Sequence, residues 1–332
     1  MPTFLPQDSL KTPRFCGITT FMRLPHTQAL EGVDVAVVGI PFGTGSPFRV
    51  GCRFGPTAVR AMSLMLRPIN PYQDLNVFEE CGIVDYGDTD VAPGYLPESF
   101  ERIEAALAPL AERGVIPVGV GGDHSITLPE LRVLGKVHGP LAILHFDAHT
   151  DTWDTYFAGQ KHSAGTAFRR GVEEGWIDAR ASMQVGMRGS LFTREDIQQS
   201  LDLGYEVVTT DEMLDGGIEV LARRIREKFR GRKVFLSFDL DVVDPAFAPG
   251  VQTPEAGGPT AREILRLLRT LRGLHLVGAD VVEMNPNYDA GQITALLAAT
   301  VAAEILALVA AWKRDRRMDQ VSGPRRGAGA DA

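Results

Sequence analysis

The chain has 332 residues, 44% of them hydrophobic and 23% charged, which is enough apolar sequence to bury a large core. Its net charge of −8 argues against a general nucleic-acid binder, because such proteins normally carry a basic face. The three cysteines form no CxxC pair, which argues against a disulfide framework and favours reduced thiols in a cytoplasmic protein.

Short apolar runs alternate with segments of helical periodicity, and this alternation predicts an α/β fold with a mostly parallel, doubly wound sheet. Strands are predicted at residues 34–40, 114–120, 141–146, 183–186, 234–240 and 274–281. Helices are predicted at residues 99–113, 129–136, 165–174, 217–229 and 260–271. Thr260 and Glu263 form a capping-box pattern at the start of the last helix.

The two ends of the chain differ in composition from its middle. Residues 1–14 lack the apolar run of a secretory signal, and they are predicted to be an N-terminal extension. Residues 15–312 contain no repeat and no linker, so we expect a single domain there. Residues 313–332 are charged and then rich in Gly and Ala, which predicts a disordered tail.

One stretch, residues 295–312, is long and apolar enough to span a membrane. It carries Glu304 near its middle, and a carboxylate at the centre of a membrane span costs a few kcal/mol. We therefore predict a buried or subunit-facing helix and no membrane partner.

Three polar motifs follow three of the predicted strands: GGDH at 121–124, DAHTD at 147–151 and DLD at 239–241. Ligands of open parallel sheets bind beyond the carboxyl ends of the strands, where all three motifs lie. Alternate residues of a motif point to one side of an extended segment. One DxD is usually a turn and one His is usually structural, so the prediction of a site depends on all three motifs together.

The predicted site is rich in carboxylates, and no Lys or Arg lies within the motifs. Carboxylates that are buried together repel each other, which raises their pKa values unless cations lie among them. Four carboxylates and two neutral imidazoles suit a pair of Mn²⁺ ions, with Ni²⁺ the alternative and Co²⁺ or Zn²⁺ also permitted. The six candidate metal ligands are His124, Asp147, His149, Asp151, Asp239 and Asp241.

The segments GGDHS, FDAHTD, SFDLDVVDP and VEMNP resemble the ureohydrolase family, which includes arginase, agmatinase and guanidinobutyrase. FMRLP, GIPFGTG and RFGP resemble the agmatinase/guanidinobutyrase branch more than arginase, and the similarity runs from about Phe15 to Trp312. The resemblance implies a three-layer α/β/α fold, a trimer or hexamer, and hydrolysis of a small cationic guanidino substrate to urea and an amine.

The resemblance also implies how the ligands are divided and what the site does. Asp147 and Asp239 would bridge two metals, with His124 and Asp151 completing one set and His149 and Asp241 the other. A hydroxide held by the metals would attack the guanidinium carbon. Two catalytic roles follow. Asp151 would pass the proton to the leaving nitrogen, and Glu283 would pair with the guanidinium unless it is an ordinary strand-end carboxylate.

One departure from the family pattern concerns a histidine. The family has His-Gly-Thr after the second motif, and this chain has Ala164 where that His is expected. His162 is a catalytic candidate that would reach in to replace it, and a solvent-exposed loop residue is the alternative. A second possibility is that the site works without this His. A third is that the chain is a catalytically weak or silent metal-binding paralogue, which acts as a partner subunit.

A second departure lies at Val251 and Gln252, where the branch has a small polar residue and a glycine. Gln252 adds bulk near the expected substrate entrance. This favours a small substituted guanidine or a biguanide, such as dimethylguanidine or metformin. Trp153 is a further candidate for substrate binding, or else it packs a surface loop. His145 is predicted to be a hydrogen-bonded core residue, and a single-zinc deacetylase of similar fold remains a rival reading.

Overall fold

The computed structural model describes residues 4–322. Its central feature is an eight-stranded sheet in the order β4-β1-β5-β10-β9-β6-β7-β8, and a two-residue hairpin, β2-β3, lies apart from it. The strands are β1 Val35–Ile40, β2 Ile69–Asn70, β3 Leu75–Asn76, β4 Ile83–Asp88, β5 Ile116–Gly121, β6 Ala142–Phe146, β7 Met183–Met187, β8 Glu206–Thr209, β9 Lys233–Asp239 and β10 His275–Val282.

Every neighbouring pair in the large sheet is parallel, so the predicted mostly parallel sheet is confirmed. The six predicted strands correspond to β1, β5, β6, β7, β9 and β10. The two edge strands, β4 and β8, were not predicted from the sequence. Both contain residues that are partly or fully exposed to solvent. An edge strand has only one neighbouring strand, so it needs no continuous apolar run.

Helices cover both faces of the sheet, which confirms the three-layer α/β/α architecture. They are α1 Gly55–Ser63, α2 Val77–Glu80, α3 Leu96–Glu112, α4 Thr127–His138, α5 Ala167–Glu173, α6 Asp196–Leu203, α7 Thr210–Gly216, α8 Ile218–Lys228, α9 Ala261–Arg269 and α10 Ile293–Ser322. In β1, Val35 and Val37 pack into one buried cluster with α8, α9 and α10, whereas Ala36 and Val38 pack into another with α3 and α4. This alternation is expected of a strand that is covered on both sides.

The apolar stretch that is long enough to span a membrane forms α10, and it lies in the core. An 18-residue window of the helix has a mean hydropathy of 2.2, and 78% of that window is buried. Glu304 is buried as well, and its carboxylate accepts hydrogen bonds from Arg269 Nε at 2.6 Å and Asn70 Nδ2 at 2.7 Å. These partners compensate the buried charge of Glu304. The prediction of a buried helix is confirmed by the burial of the apolar window.

The prediction of a disordered tail from residue 313 was wrong for residues 313–322, which continue α10. No Gly or Pro occurs between Gly291 and Gly323, so nothing in the sequence stops the helix. Asp315 also pairs with Arg272 at 2.6 Å, which holds the extended helix to the domain. Residues 323–332 lie outside the described residues. The boundaries predicted for the N-terminal extension and the single domain stay predictions.

The middle of the sheet determines where the polar motifs meet. β5, β10, β9 and β6 are neighbours in that order, and all four are parallel. Their carboxyl ends therefore lie side by side at one edge. The three motifs follow β5, β6 and β9, and Glu283 follows β10 directly.

Candidate metal centre and active site

The six predicted ligands come together in two groups at this edge. In the first group, His124 Nδ1 lies 3.1 Å from Asp147 Oδ2, 3.0 Å from Asp151 Oδ2 and 3.1 Å from Asp239 Oδ2. In the second, His149 Nδ1 lies 3.3 Å from Asp147 Oδ1 and 3.1 Å from Asp241 Oδ2. Asp147 thus faces both groups, with one oxygen towards each.

The hydrogen bonds behind His124 determine which of its nitrogens carries a proton. Ser237 Oγ donates to Asp280 Oδ1 at 2.7 Å, so it accepts from His124 Nε2, which lies 2.8 Å away. The other nitrogen, Nδ1, then carries the lone pair of a neutral imidazole. This nitrogen is buried and has no hydrogen-bond partner among the described residues, yet it faces three carboxylates. A cation at the centre of the group would satisfy all four side chains.

The charge of the site leads to the same interpretation. Asp147, Asp239 and Asp241 are at most 2% exposed, and no Lys or Arg of residues 4–322 forms a salt bridge with them. Burial raises the pKa of Asp239 well above its usual value, and repulsion from Asp241 and Asp147 raises it further. Buried carboxylates in this position need metal ions or protons, so these residues fit a pair of dications.

His145 lies next to the site but is not available as a ligand. Its Nε2 donates to Asp147 Oδ2 at 2.8 Å, and its Nδ1 accepts from Gln184 Nε2 at 3.0 Å. The amide orientation of Gln184 is fixed, because its Nε2 also donates to Thr150 O at 2.6 Å and its Oε1 accepts from Ser200. His145 is therefore the hydrogen-bonded core histidine that the sequence predicts, and it orients Asp147.

Glu283 closes the site on the side of β10. Its Oε1 accepts from the backbone N of His124 at 2.7 Å, and its Oε2 accepts from Gln252 Nε2 at 2.7 Å. Glu283 and Asp151 both have a positive φ, at 68° and 50°. A non-glycine residue in this region carries backbone strain of about 1–3 kcal/mol, and such strain is concentrated at functional sites.

A cavity of about 560 Å³ opens above the two groups, and Asp151, Asp239 and Glu283 line it. Three aromatic rings form one of its walls. The Trp153 ring lies 5.3 Å from Tyr156 and 5.8 Å from Phe192, measured between centroids. These three side chains, called the aromatic wall below, would pack against an apolar group of a ligand.

Comparisons with known proteins agree with this geometry. The family model described as the Arginase family matches residues 33–308. The chain belongs to the arginase family. It is 41% identical to the guanidinopropionase of Pseudomonas aeruginosa over 305 aligned residues, and the alignment covers 92% of this chain and 96% of that protein. The structure of proclavaminate amidinohydrolase from Streptomyces clavuligerus is 40% identical, with a TM-score of 0.86 over 91% of this chain and all of that one.

A guanidinobutyrase of Pseudomonas aeruginosa is likewise 41% identical over 307 residues, which is 92% of this chain and 96% of that protein. The predictions of the family and of its agmatinase/guanidinobutyrase-like branch are therefore confirmed. The prediction of a hydrolase that acts on C–N bonds of linear amidines is confirmed as well.

The structure also shows where Ala164 lies, the residue that stands in place of the expected family histidine. Ala164 lies on the cavity wall, but His162 does not line the cavity. The His162 ring packs edge-on against Phe100 of α3, with the centroids 5.9 Å apart. In this structure His162 therefore does not take the place of the missing His, because its ring packs against Phe100 and lies outside the cavity lining.

Gln252 and Trp153, the other predicted substrate contacts, both line the cavity. The residues that support the ligands were not predicted from the sequence. Thr253 Oγ1 donates to Asp241 Oδ2 at 3.1 Å, and Ser237 and Asp280 lie behind His124. Two signals were present in the sequence: Ser237 shares strand parity with Asp239, and Asp280 is a charged residue inside an apolar strand.

Proposed function

We propose that this arginase-family chain is a binuclear-metal amidinohydrolase that releases urea from a small, atypical guanidino compound. The convergence of six ligand-type side chains, four of them carboxylates without a cationic partner among the described residues, carries the proposal. A family fold alone would not support it, because one fold can host several chemistries.

One metal would be held by His124, Asp147, Asp151 and Asp239, and the other by Asp147, His149, Asp239 and Asp241. The contacts of these side chains define two groups that share Asp147, one of the two carboxylates that would bridge. The donor set suits Mn²⁺ first and Ni²⁺ as the alternative. When bound, such a pair lowers the pKa of water and so supplies a nucleophile at neutral pH.

The protein's own side chains would position the substrate and move the proton. Glu283 faces the cavity and would attract the cationic guanidino group towards the site. Asp151 also lines the cavity, where it would lie near both the attacking nucleophile and the departing nitrogen. Its carboxylate would accept the proton of the attacking hydroxide and deliver it to that nitrogen, so the C–N bond breaks and urea and a neutral amine leave.

Two features of the cavity support a substrate without a carboxylate. Arg188 is the one Arg or Lys among the described lining residues, and its Nη2 donates to the carbonyls of Asp241 and Glu255, both at 2.7 Å. That guanidinium is occupied and would not pair with an acid. The aromatic wall instead favours N-alkyl groups, as in dimethylguanidine or metformin, although the names of two relatives refer to guanidino acids.

We also propose a cytoplasmic homo-oligomer, a trimer or hexamer, or a hetero-oligomer with a paralogue. The three cysteines are free thiols, as in a reducing compartment. Leu10 is 97% exposed, and Phe15 and Ile18 are each 87% exposed, which favours burial of this segment against another subunit.

The alternative is a silent partner subunit, and the position of Ala164 favours it. This wall residue cannot transfer a proton, and His162 points elsewhere. The two readings are separated by assays with and without candidate paralogues. Urea release by the isolated chain would exclude the silent reading.

The decisive experiment measures metal content together with urea release. Protein loaded with Mn²⁺ or Ni²⁺ is assayed with agmatine, guanidinobutyrate, guanidine, dimethylguanidine and metformin. We expect about two metals per chain and turnover of at least one substituted guanidine. One zinc per chain would favour the deacetylase reading. Full metal occupancy with no urea from any substrate, alone or with a paralogue, would overturn the enzymatic proposal.

A further inference from the structure

Gln252 is held rigidly at the cavity wall by its neighbours in the backbone. Val251 forms an antiparallel bridge with Met284, and Asn285 N donates to Gly250 O at 2.7 Å. These bonds fix the segment that carries Gln252 beside the segment that carries Glu283. The side chain of Gln252 is only 1% exposed, yet it lines the cavity.

The orientation of the Gln252 amide follows from its contact with Glu283. Nε2 donates to Glu283 Oε2 at 2.7 Å, and the reverse orientation would place two oxygens against each other. The other end of the amide, Oε1, is buried and has no hydrogen-bond partner among the described residues. A buried acceptor without a hydrogen-bond partner costs about 1–3 kcal/mol. A ligand that donates an N–H to this oxygen removes the cost and therefore binds more tightly.

Glu283 itself has little capacity left for such a ligand. Oε1 already accepts the backbone N–H of His124, and Oε2 accepts from both Gln252 and the thiol of Cys52, with Sγ at 3.4 Å. The carboxylate still contributes charge, but protein donors occupy three of its roughly four acceptor sites. A substrate N–H that approaches this side of the cavity therefore meets the amide oxygen of Gln252 as the free acceptor.

We propose that Gln252 Oε1 accepts an N–H of the substrate and so selects both the substrate and its orientation. This inference rests on the proposed function, since it assigns a role within the same site. An N,N-dialkyl end has no N–H to donate, so it lies against the aromatic wall. The unsubstituted NH₂ end then faces Gln252, and the guanidino carbon lies between them, above the metal ligands.

Two substitutions separate this role from simple support of Glu283. Gln252→Met keeps the length of the side chain and removes its polar atoms, so we expect KM for dimethylguanidine to rise about tenfold or more, with a smaller change in kcat. Both variants lose the amide that donates to Glu283 Oε2, but Gln252→Gly also removes the bulk, so a substrate N–H can reach that oxygen where the Met side chain would still cover it. The Gly variant is therefore expected to bind unsubstituted guanidine more tightly than the Met variant.

Binding is measured separately from turnover, as the thermal shift caused by dimethylguanidine and by guanidine in metal-loaded protein. Gln198→Met, on the exposed surface of α6, is the matched control and keeps the wild-type shift. Equal shifts in wild type and Gln252→Met would overturn the inference, as would a Gly variant that binds guanidine no better than the Met variant. No shift in wild type with either compound would also overturn it.

These outcomes are distinct from failure of the proposed function. If wild type releases urea but Gln252→Met keeps its KM, the enzymatic proposal stands and the role of Gln252 falls. If wild type binds dimethylguanidine through Gln252 but releases no urea, the role of Gln252 stands and the enzymatic proposal falls.

Discussion

The base and the rim of the cavity differ in how they are built. The base consists of side chains at the ends of β5, β6, β9 and β10, which are adjacent strands of one sheet. The rim comes from loops, including Trp153, Ala164 and Gln252. Sheet geometry fixes side chains more tightly than loops do, so the base can retain one chemistry while the rim changes the substrate. Four substitutions test this division.

The largest effect is expected at the base. Asp239→Asn removes a proposed bridging carboxylate, and an amide neither carries the charge nor bridges as well. We expect urea release to fall by at least ~100-fold. Loss of a residue that only hydrogen-bonds to a metal ligand typically lowers metal affinity or activity by ~10–100-fold, and loss of the ligand itself should cost more. Metal content per chain should fall in parallel, as measured by mass spectrometry. Asp202→Asn on the surface of α6 is the control, and a fully metallated, active D239N protein would contradict the ligand assignment.

A gain of activity is expected at one position of the rim. Ala164→His places an imidazole on the cavity wall, and general acid–base assistance contributes roughly 10²–10⁴-fold where it is well positioned. We expect kcat to rise by up to ~100-fold if the chain is a weakened enzyme. Ala164→Gln adds similar bulk without a titrating group and should give no rise. A loss of kcat in the His variant alone would show that this family position has a different role in this chain.

Behind the base, Asp280→Asn tests the tautomer of His124. The oxygen of an Asn amide would stay at the Oδ1 position, because Phe238 N also donates there, but it accepts from Ser237 Oγ more weakly than a carboxylate does. The hydroxyl can then turn and donate to His124 Nε2, which leaves the proton on Nδ1. A protonated Nδ1 cannot bind a metal, so we expect ~10–100-fold weaker metal binding in calorimetric titrations. Thr127→Val removes a different hydrogen bond to Asp280 and should weaken binding less. Equal effects of the two variants would remove the basis of the tautomer argument.

The smallest effect is expected at the aromatic wall. Trp153→Leu keeps an apolar side chain but removes the ring, and a cation over an aromatic face gains about 0.5–2 kcal/mol. KM for dimethylguanidine should rise about 2- to 30-fold, with a smaller change for unsubstituted guanidine. Tyr95→Leu, which alters an exposed aromatic outside the cavity, is the control. Equal changes for the two compounds would mean that the wall does not recognise alkyl groups.

The sequence by itself determined the parallel sheet, the six candidate ligands and their positions at strand ends. Apolar runs with polar residues directly after them are local patterns, and the parallel arrangement of strands is what makes their ends meet. The edge strands β4 and β8 were not predicted, because each depends on a single neighbouring strand and needs no continuous apolar run. The helical continuation to Ser322 could have been predicted, because no Gly or Pro interrupts the sequence before Gly323.

Only the tertiary structure decided which residues surround the substrate cavity. His162 and Ala164 are two residues apart, yet the first packs against Phe100 and the second lines the cavity. Gln252 and Glu283 are far apart in sequence, and a single backbone bridge between their segments brings their side chains into contact. Spacing along the chain specifies such arrangements only within a strand or helix, whereas loop direction depends on what each side chain packs against.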